Sequence, residues 1–266
     1  MKTIQEINNN VFCGDCVEII SQFPDNCIDL TVTSPPYDKL RSYEGSISAW
    51  NEQKWKDLLQ QLFRATKVGG VVVWVVGDST INGSETGTSF KQALYAKDIG
   101  FNLHDTMIFR KKNPIPQIYR KRYNNEFEYM FVFSKGVVKT HNPIMVYCLH
   151  AGLQLNGTTY KNYSKTVQTR EKMANPVKDQ KIKGNIWEYV VGKNAEDQDA
   201  KGHPAPFPCQ LARDHISSWT NEGDVVLDPM AGSGTTLKMA QQIKRNYVGI
   251  EINQNYIDII NKRLQS

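Results

Sequence analysis

The run Val71-Val72-Val73-Trp74-Val75-Val76 is apolar without a break, β-branched at five of six positions, and fenced by Gly69-Gly70 and Gly77-Asp78. A strand with neither face in water reads this way, and such strands occur where helices cover both sides of a parallel sheet. The run is far too short for a bilayer-spanning helix, which needs roughly 18 apolar residues. Other segments fit the same scheme. Val11-Phe12-Cys13 stops at Gly14-Asp15, and Ile28 to Thr33 alternates apolar with polar before Pro35-Pro36. Val225 to Leu227 and Tyr247 to Ile252 read as further strands, and Thr106 to Phe109 with Phe127 to Phe133 as an antiparallel pair. Helical spacing covers Cys16 to Phe23, Trp50 to Thr66, which leads to Gly69-Gly70, Thr235 to Ile243 and Tyr256 to Leu264. Alternating strands and helices predict a doubly wound α/β sheet, mostly parallel, with ligands beyond the strands' carboxyl ends. Gly14-Asp15, Ser34-Pro35-Pro36-Tyr37, Gly77-Asp78, Asp228-Pro229 and Glu251 all fall at such ends, so they gather on one rim.

The segment from Val225 to Thr236 has the form strand, glycine turn, helix start, with Gly232 and Gly234 free of the Cβ that would block a close ligand. Glu251, closing the next strand, stands where an acceptor for ribose hydroxyls belongs in a nucleotide-type site. A dinucleotide fingerprint needs a third glycine where Leu237 stands, and a phosphate loop needs a lysine that is absent. An acidic residue before a loop without phosphate-binding equipment suits a cationic or zwitterionic nucleoside. S-adenosyl-L-methionine, with its sulfonium, ammonium and ribose, is such a molecule, and Asp228 and Glu251 complement it. A plain βα turn with two glycines is the alternative reading of this loop taken alone.

Thr33-Ser34-Pro35-Pro36-Tyr37 directly follows a strand. Two prolines fix the backbone and remove two N–H donors, so carbonyls project as acceptors. A serine oxygen beside a proline carbonyl accepts both hydrogens of an amino group, drawing its lone pair out of conjugation toward an electrophilic methyl. Tyr37 offers a face on which a base stacks, worth about 1–3 kcal/mol. Positioning and electrostatics carry such a reaction without a covalent nucleophile.

These residues resemble the DNA amino-methyltransferases that modify N4 of cytosine or N6 of adenine. The likeness rests on Ser34-Pro35-Pro36-Tyr37, on Asp228-Pro229-Met230-Ala231-Gly232-Ser233-Gly234-Thr235-Thr236, and on His203-Pro204-Ala205-Pro206-Phe207-Pro208. Their order, catalytic motif first and cofactor motif last, is similar to the family's beta group. The resemblance implies a Rossmann-like methyltransferase sheet, parallel except for one reversed strand, with an inserted target-recognition region. Residues 1–136 would form the catalytic half, 137–200 the recognition region and 201–266 the half that binds S-adenosyl-L-methionine. It further implies a cofactor site of Asp15, Cys16, His203, Ala205, Phe207, Asp228, Pro229, Ala231, Gly232, Ser233, Gly234, Thr235, Glu251 and Ile252. In it Asp15 would meet the adenine amino group, and His203 to Phe207 would close over the methionine end. Asp228 would order that pocket. Ser34 at the head of the catalytic motif favours cytosine N4 over adenine N6, and Asp78 is placed as a group assisting the Ser34 hydroxyl, loop capping being the plainer role. A companion restriction endonuclease is a partner that the family analogy suggests, and monomer or homodimer stays open.

A net charge of +5 suggests a polyanionic partner. Residues 110–123 hold six basic side chains, Arg110, Lys111, Lys112, Arg120, Lys121 and Arg122, and no acidic one, which suits the phosphates of double-stranded DNA. Region 137–200 is polar, Lys-rich and without clear periodicity, with Asn156, Tyr160, Asn162, Tyr163, Gln168, Arg170 and Lys172 of the kind that suits target recognition. A base inside a duplex is out of reach, so it must be flipped toward Tyr37. Pro208-Cys209-Gln210 matches the nucleophile motif of carbon-5 methylation, but its setting in a cofactor-side helix makes Cys209 structural. No metal site is expected, since Cys13 and Cys16 form a lone pair. Five cysteines without a spaced framework, and a first hexapeptide without an apolar core, point to a cytoplasmic protein. A non-catalytic DNA-binding regulator with a vestigial nucleoside site is the rival from another class.

Overall fold

The structure is a computed structural model that describes residues 1–36, 50–114, 116, 121–153, 160–161, 167–168, 177–192 and 208–265. In chain order these form α1 (Ile4–Ile7), β1 (Asn10–Cys13), α2 (Cys16–Ile20), β2 (Ile28–Thr33), α3 (Glu52–Ala65) and β3 (Thr66–Val76). A small hairpin, β4 (Thr80–Ile81) and β5 (Ser84–Glu85), precedes α4 (Thr88–Asp98), β6 (Asn102–Lys111) and β7 (Phe127–Ser134). Short strands β8 (Met145–Tyr147), β9 (Tyr160–Lys161), β10 (Val167–Gln168) and β11 (Gln180–Ile182) follow, then β12 (Ile186–Tyr189). Helix α5 (Cys209–Trp219), β13 (Val225–Asp228), α6 (Thr235–Gln242), β14 (Asn246–Glu251) and α7 (Gln254–Gln265) complete the chain.

Eight strands make one sheet in the order β1-β14-β13-β2-β3-β7-β6-β12. All neighbours run parallel except that β7 is antiparallel to both β3 and β6. This is the mostly parallel sheet with one reversed strand that the sequence predicts. Strand β3 is its centre. Val72, Trp74 and Val76 pack with Leu58, Leu62, Ala93 and Ala96 of α3 and α4, while the alternating Val71, Val73 and Val75 are equally buried. Burying each such side chain stabilises the fold by about 1.5–3 kcal/mol. The indole of Trp74 also finds a partner in this dry layer, Gln92 Oε1 at 2.9 Å.

Three features differ from the sequence reading. Strand β3 starts at Thr66 rather than Val71 and runs through Gly69-Gly70, with the register against β2 shifting between Ile28 and Leu30. Gly69 has φ +83°, and a Cβ there would meet Lys139 Cβ at 2.7 Å. Helix α4 was not expected, and β12 extends the main sheet from within the region read as aperiodic.

Pro143–Gly184 forms a separate compact unit. In it β8 pairs antiparallel with β11, and Cys148 N–H and Gly152 N–H bond to the carbonyls of Asp179 and Val177. Tyr147 and Leu149 stand exposed on it. Among the described residues no helix is long and apolar enough to cross a membrane.

Candidate active site

Because β1, β14, β13, β2 and β3 are parallel neighbours, their carboxyl ends define a rim with a fixed order. Asp15 follows β1, Glu251 closes β14, Asp228 closes β13, Ser34 follows β2 and Asp78 follows β3. Neighbouring strands stand about 4.8 Å apart, so the acidic groups line one side of Ser34 and Asp78 the other.

The two central loops are joined directly. Thr33 Oγ1 donates to Asp228 Oδ1 at 2.9 Å, and Thr236 Oγ1 reaches the Val32 carbonyl at 3.4 Å. Thr33 and Asp228, 195 residues apart in sequence, therefore bring the two loops side by side at the strands' carboxyl ends. Asp228 also accepts the Met230 N–H at 3.1 Å and a hydrogen bond from Thr236. Burial pushes its pKa from 3.8 up to about 6, against the pull of those donors and with a further push from Glu251.

Glu251 ties the glycine loop to the next strand. Its Oε2 accepts the Gly232 N–H at 2.8 Å and its Oε1 the Asn253 N–H at 2.9 Å, which leaves lone pairs for ribose hydroxyls. Burial raises its pKa more than these N–H groups lower it. In the loop itself Gly232 and Gly234 have φ +52° and +81°. A Cβ on Gly234 would meet Ile260 of α7 at 2.9 Å, so this glycine serves helix packing as much as ligand approach. Pro229, Ala231, Ser233 and Thr235 are buried around it.

Asp15 caps α2, accepting the Val17 and Glu18 N–H groups at 2.9 and 3.1 Å, and its other oxygen pairs with Lys54 of α3. Burial opposes the charged form, but Lys54 and the two N–H groups hold the carboxyl below its ordinary range. Cys16 lies in the core beneath, its thiol pushed up to about 12 by burial, so it packs rather than reacts. Ile252 is half exposed at the rim. Asp78 accepts from Thr86 Oγ1 at 3.2 Å, Ser89 N at 2.9 Å and Ser89 Oγ at 2.5 Å, the bonds of a cap that fixes the β4–β5 hairpin against α4. Ser34 and Pro36 are half-buried and Pro35 is buried. Tyr37, His203, Ala205, Phe207 and Arg120 lie outside the described residues.

The basic run is largely matched by acids. Arg110 pairs with Glu188 at 2.9 Å and Glu126 at 3.6 Å, Lys111 with Glu128 at 2.8 Å, and Arg122 with Glu85. Lys112 and Lys121 are exposed. Among the described residues no His, Cys, Asp and Glu group is placed to hold a metal ion. Three site residues escaped the sequence reading: Thr33, Lys54 and Arg263, whose guanidinium donates to the Ser233 carbonyl. A basic residue on the buried face of α7 was the signal available for the last.

One reversed strand in a parallel sheet, a glycine loop closed by two buried carboxylates, and a Pro-Pro loop bonded beside it define an α/β methyltransferase using S-adenosyl-L-methionine. The carboxylates and the absence of a Lys on the loop fit a cationic nucleoside. The family model described as DNA methylase matches residues 28–262, and the chain belongs to that family of N4/N6 DNA amino-methyltransferases. It is 49% identical over 248 residues to the orphan methyltransferase M.BamHII of Bacillus amyloliquefaciens, covering 91% of this chain and 90% of that one. It is 26% identical to the type II methyltransferase M.HinfI of Haemophilus influenzae, over 99% of this chain and 70% of that one. The fold is similar to that of the cytosine-N4-specific PvuII DNA methyltransferase, with a TM-score of 0.67 at 19% identity, covering 97% and 93% of the two chains. M1.HpyAVI in complex with S-adenosyl-L-methionine gives 0.61 at 22% identity, covering 96% and 99%.

Proposed function

We propose that this DNA methyltransferase forms N4-methylcytosine at a specific duplex sequence. The observation that carries the reading is a serine, Ser34, at the head of a Pro-Pro loop held against the cofactor loop by the Thr33–Asp228 bond. S-adenosyl-L-methionine supplies an electrophilic methyl group. The flipped cytosine donates its two amine hydrogens to the Ser34 oxygen and the Pro35 carbonyl, with Tyr37 against the ring. The N–CH3 bond forms as the S–CH3 bond breaks, and the amine releases one proton to solvent. Asp228 and Glu251 bind the cationic and ribose parts of the cofactor, Asp15 its adenine end, and His203 to Phe207 close over it. Asp78 acts on Ser34 through the loop that it caps.

Attraction for DNA is assigned mainly to the unit Pro143–Gly184, read as the recognition region. It carries seven Lys and Arg against two acids, a net +5 equal to that of the entire chain. Exposed Lys112 and Lys121 add to it. By analogy with the 49% identical orphan methyltransferase, the enzyme works without a companion endonuclease. Labelled S-adenosyl-L-methionine, duplex DNA and nucleoside mass spectrometry test the proposal. N4-methylcytosine is expected; N6-methyladenine overturns the base assignment, and no transfer to DNA of varied sequence leaves the regulator.

A further inference from the structure

We propose that Arg263 of α7 is a positioning residue for the cofactor loop, holding the Ser233 peptide in the orientation that binds S-adenosyl-L-methionine. The proposal rests on reading residues 228–235 as the cofactor loop. Arg263 is 4% exposed. A guanidinium is expensive to bury unless its donors are used. Its Nη1 donates to the Ser233 carbonyl and lies 3.4 Å from Thr235 Oγ1, so both contacts fall on the loop and the first residue of α6. The N-terminus of α6 carries partial positive charge and repels a cation. Ile257 and Ile260 on the same face of α7 pack against Ala231 and Leu237.

The guanidinium acts on the peptide between two glycines. Gly232 and Gly234 both sit in the left-handed region, and glycines leave a loop many other conformations. The Gly232 N–H is held by Glu251 and the Gly234 N–H by the Ala231 carbonyl at 2.7 Å. The Ser233 carbonyl is buried with its residue and is fixed from α7. Arg263 and Ile260, one helical turn apart, thus hold the loop from α7. Without the guanidinium the loop samples other conformations, and the cofactor has to select the competent one.

The test uses the full chain with Arg263→Met, which keeps the stem, and Arg263→Lys, which keeps one donor. Calorimetry with S-adenosyl-L-methionine should show Kd, and kinetics KM, raised about tenfold or more in Arg263→Met. At saturating cofactor kcat should stay within about twofold, and Arg263→Lys should recover part of the affinity. Leu264→Ala, which loosens the same helix, should lower Tm and leave the cofactor Kd in place. An unchanged Kd in Arg263→Met overturns the proposal alone, as does a Kd rise in Leu264→Ala that matches it at equal loss of Tm. If Arg263→Met does not fold, Arg263→Lys decides, an unchanged Kd with full kcat counting against the clamp. Wild-type protein that binds no S-adenosyl-L-methionine overturns the loop reading and the clamp with it.

Discussion

Asp228→Asn should stabilise the free protein while weakening cofactor binding. A carboxyl whose pKa rises from 3.8 to about 6 costs roughly 1.4 kcal/mol per pH unit of that rise, about 3 kcal/mol, to hold ionised in the fold. Below about pH 4 both folded and unfolded chains carry the proton, so nothing is lost. Between there and pH 6 the folded state retains a proton that the unfolded state has released, so stability falls as pH rises. Above pH 6 the full cost is present. Asparagine removes it without orphaning a partner: Oδ1 still accepts from Met230 N–H and Thr33, and Nδ2 donates to the Thr236 hydroxyl. At roughly 2–4 °C per kcal/mol, Tm at pH 8 should rise by about 5–10 °C, and the gain should vanish near pH 4. A bound cation favours the ionised carboxyl, so wild-type Kd for S-adenosyl-L-methionine should tighten between pH 5 and 7.5. In Asp228→Asn it should be about tenfold weaker or more and flatter over that range, Glu251 keeping its smaller share. Calorimetric unfolding and ligand titration at both pH values check this. A variant less stable than wild type at pH 8, or wild-type binding equal at pH 5 and 7.5, refutes the reasoning.

Thr33→Val removes one of the donors that lower the Asp228 pKa. The pH midpoint of cofactor binding should therefore move up, and kcat should fall as the two loops lose their bond. Ser34→Ala should cut kcat about a hundredfold or more with cofactor Kd within twofold, and equal loss of both would make Ser34 structural. Gly234→Ala, at φ +81° and 2.9 Å from Ile260, should cost about 1–3 kcal/mol in urea unfolding; an unchanged midpoint would mean α7 yields. Lys178→Gln with Lys181→Gln should reduce the salt slope of DNA binding by about two, whereas Arg110→Gln, already ion-paired, should leave it unchanged.

The parts of the fold visible in the sequence are those whose burial is all-or-none. Val71 to Val76 is hidden on both faces, and its continuous apolar run says so. Helix α4 hides its signature, since Phe90 and Leu94 are 47% and 61% exposed while the residues it buries are Ser89, Gln92, Ala93 and Ala96. Strand β12 is an edge strand with Ile186 and Glu188 exposed, so only Trp187 and Tyr189 mark it. Gly69-Gly70 reads as punctuation because glycine permits a turn, yet here it permits the approach of Lys139. On the rim, the shared strand-end position of the motifs was legible from the sequence, but their order along the sheet and their side-chain commitments were not. Asp78 spends its oxygens on Ser89 and Thr86, and Lys54 finds Asp15 from 39 residues away, pairings set by tertiary contact alone.

The same distinction applies to charge. A basic run is a local property of sequence, whereas free positive charge is what remains after folding has paired it. Glu85, Glu126, Glu128 and Glu188 reach the run from β5, from beside and within β7 and from β12, and among its described residues Lys112 and Lys121 are the cations in no salt bridge to an acid. Outside Pro143–Gly184 the chain carries equal numbers of basic and acidic side chains. A neutral catalytic body has a physical advantage. Its site must hold a cation beside two carboxylates whose pKa values burial raises, and surplus lysines there would compete for Asp228 and Glu251. The net charge of the chain is thus carried by Pro143–Gly184 in sequence. The two salt slopes, one for Lys178 with Lys181 and one for Arg110, therefore measure the separation of functions as well as the interface.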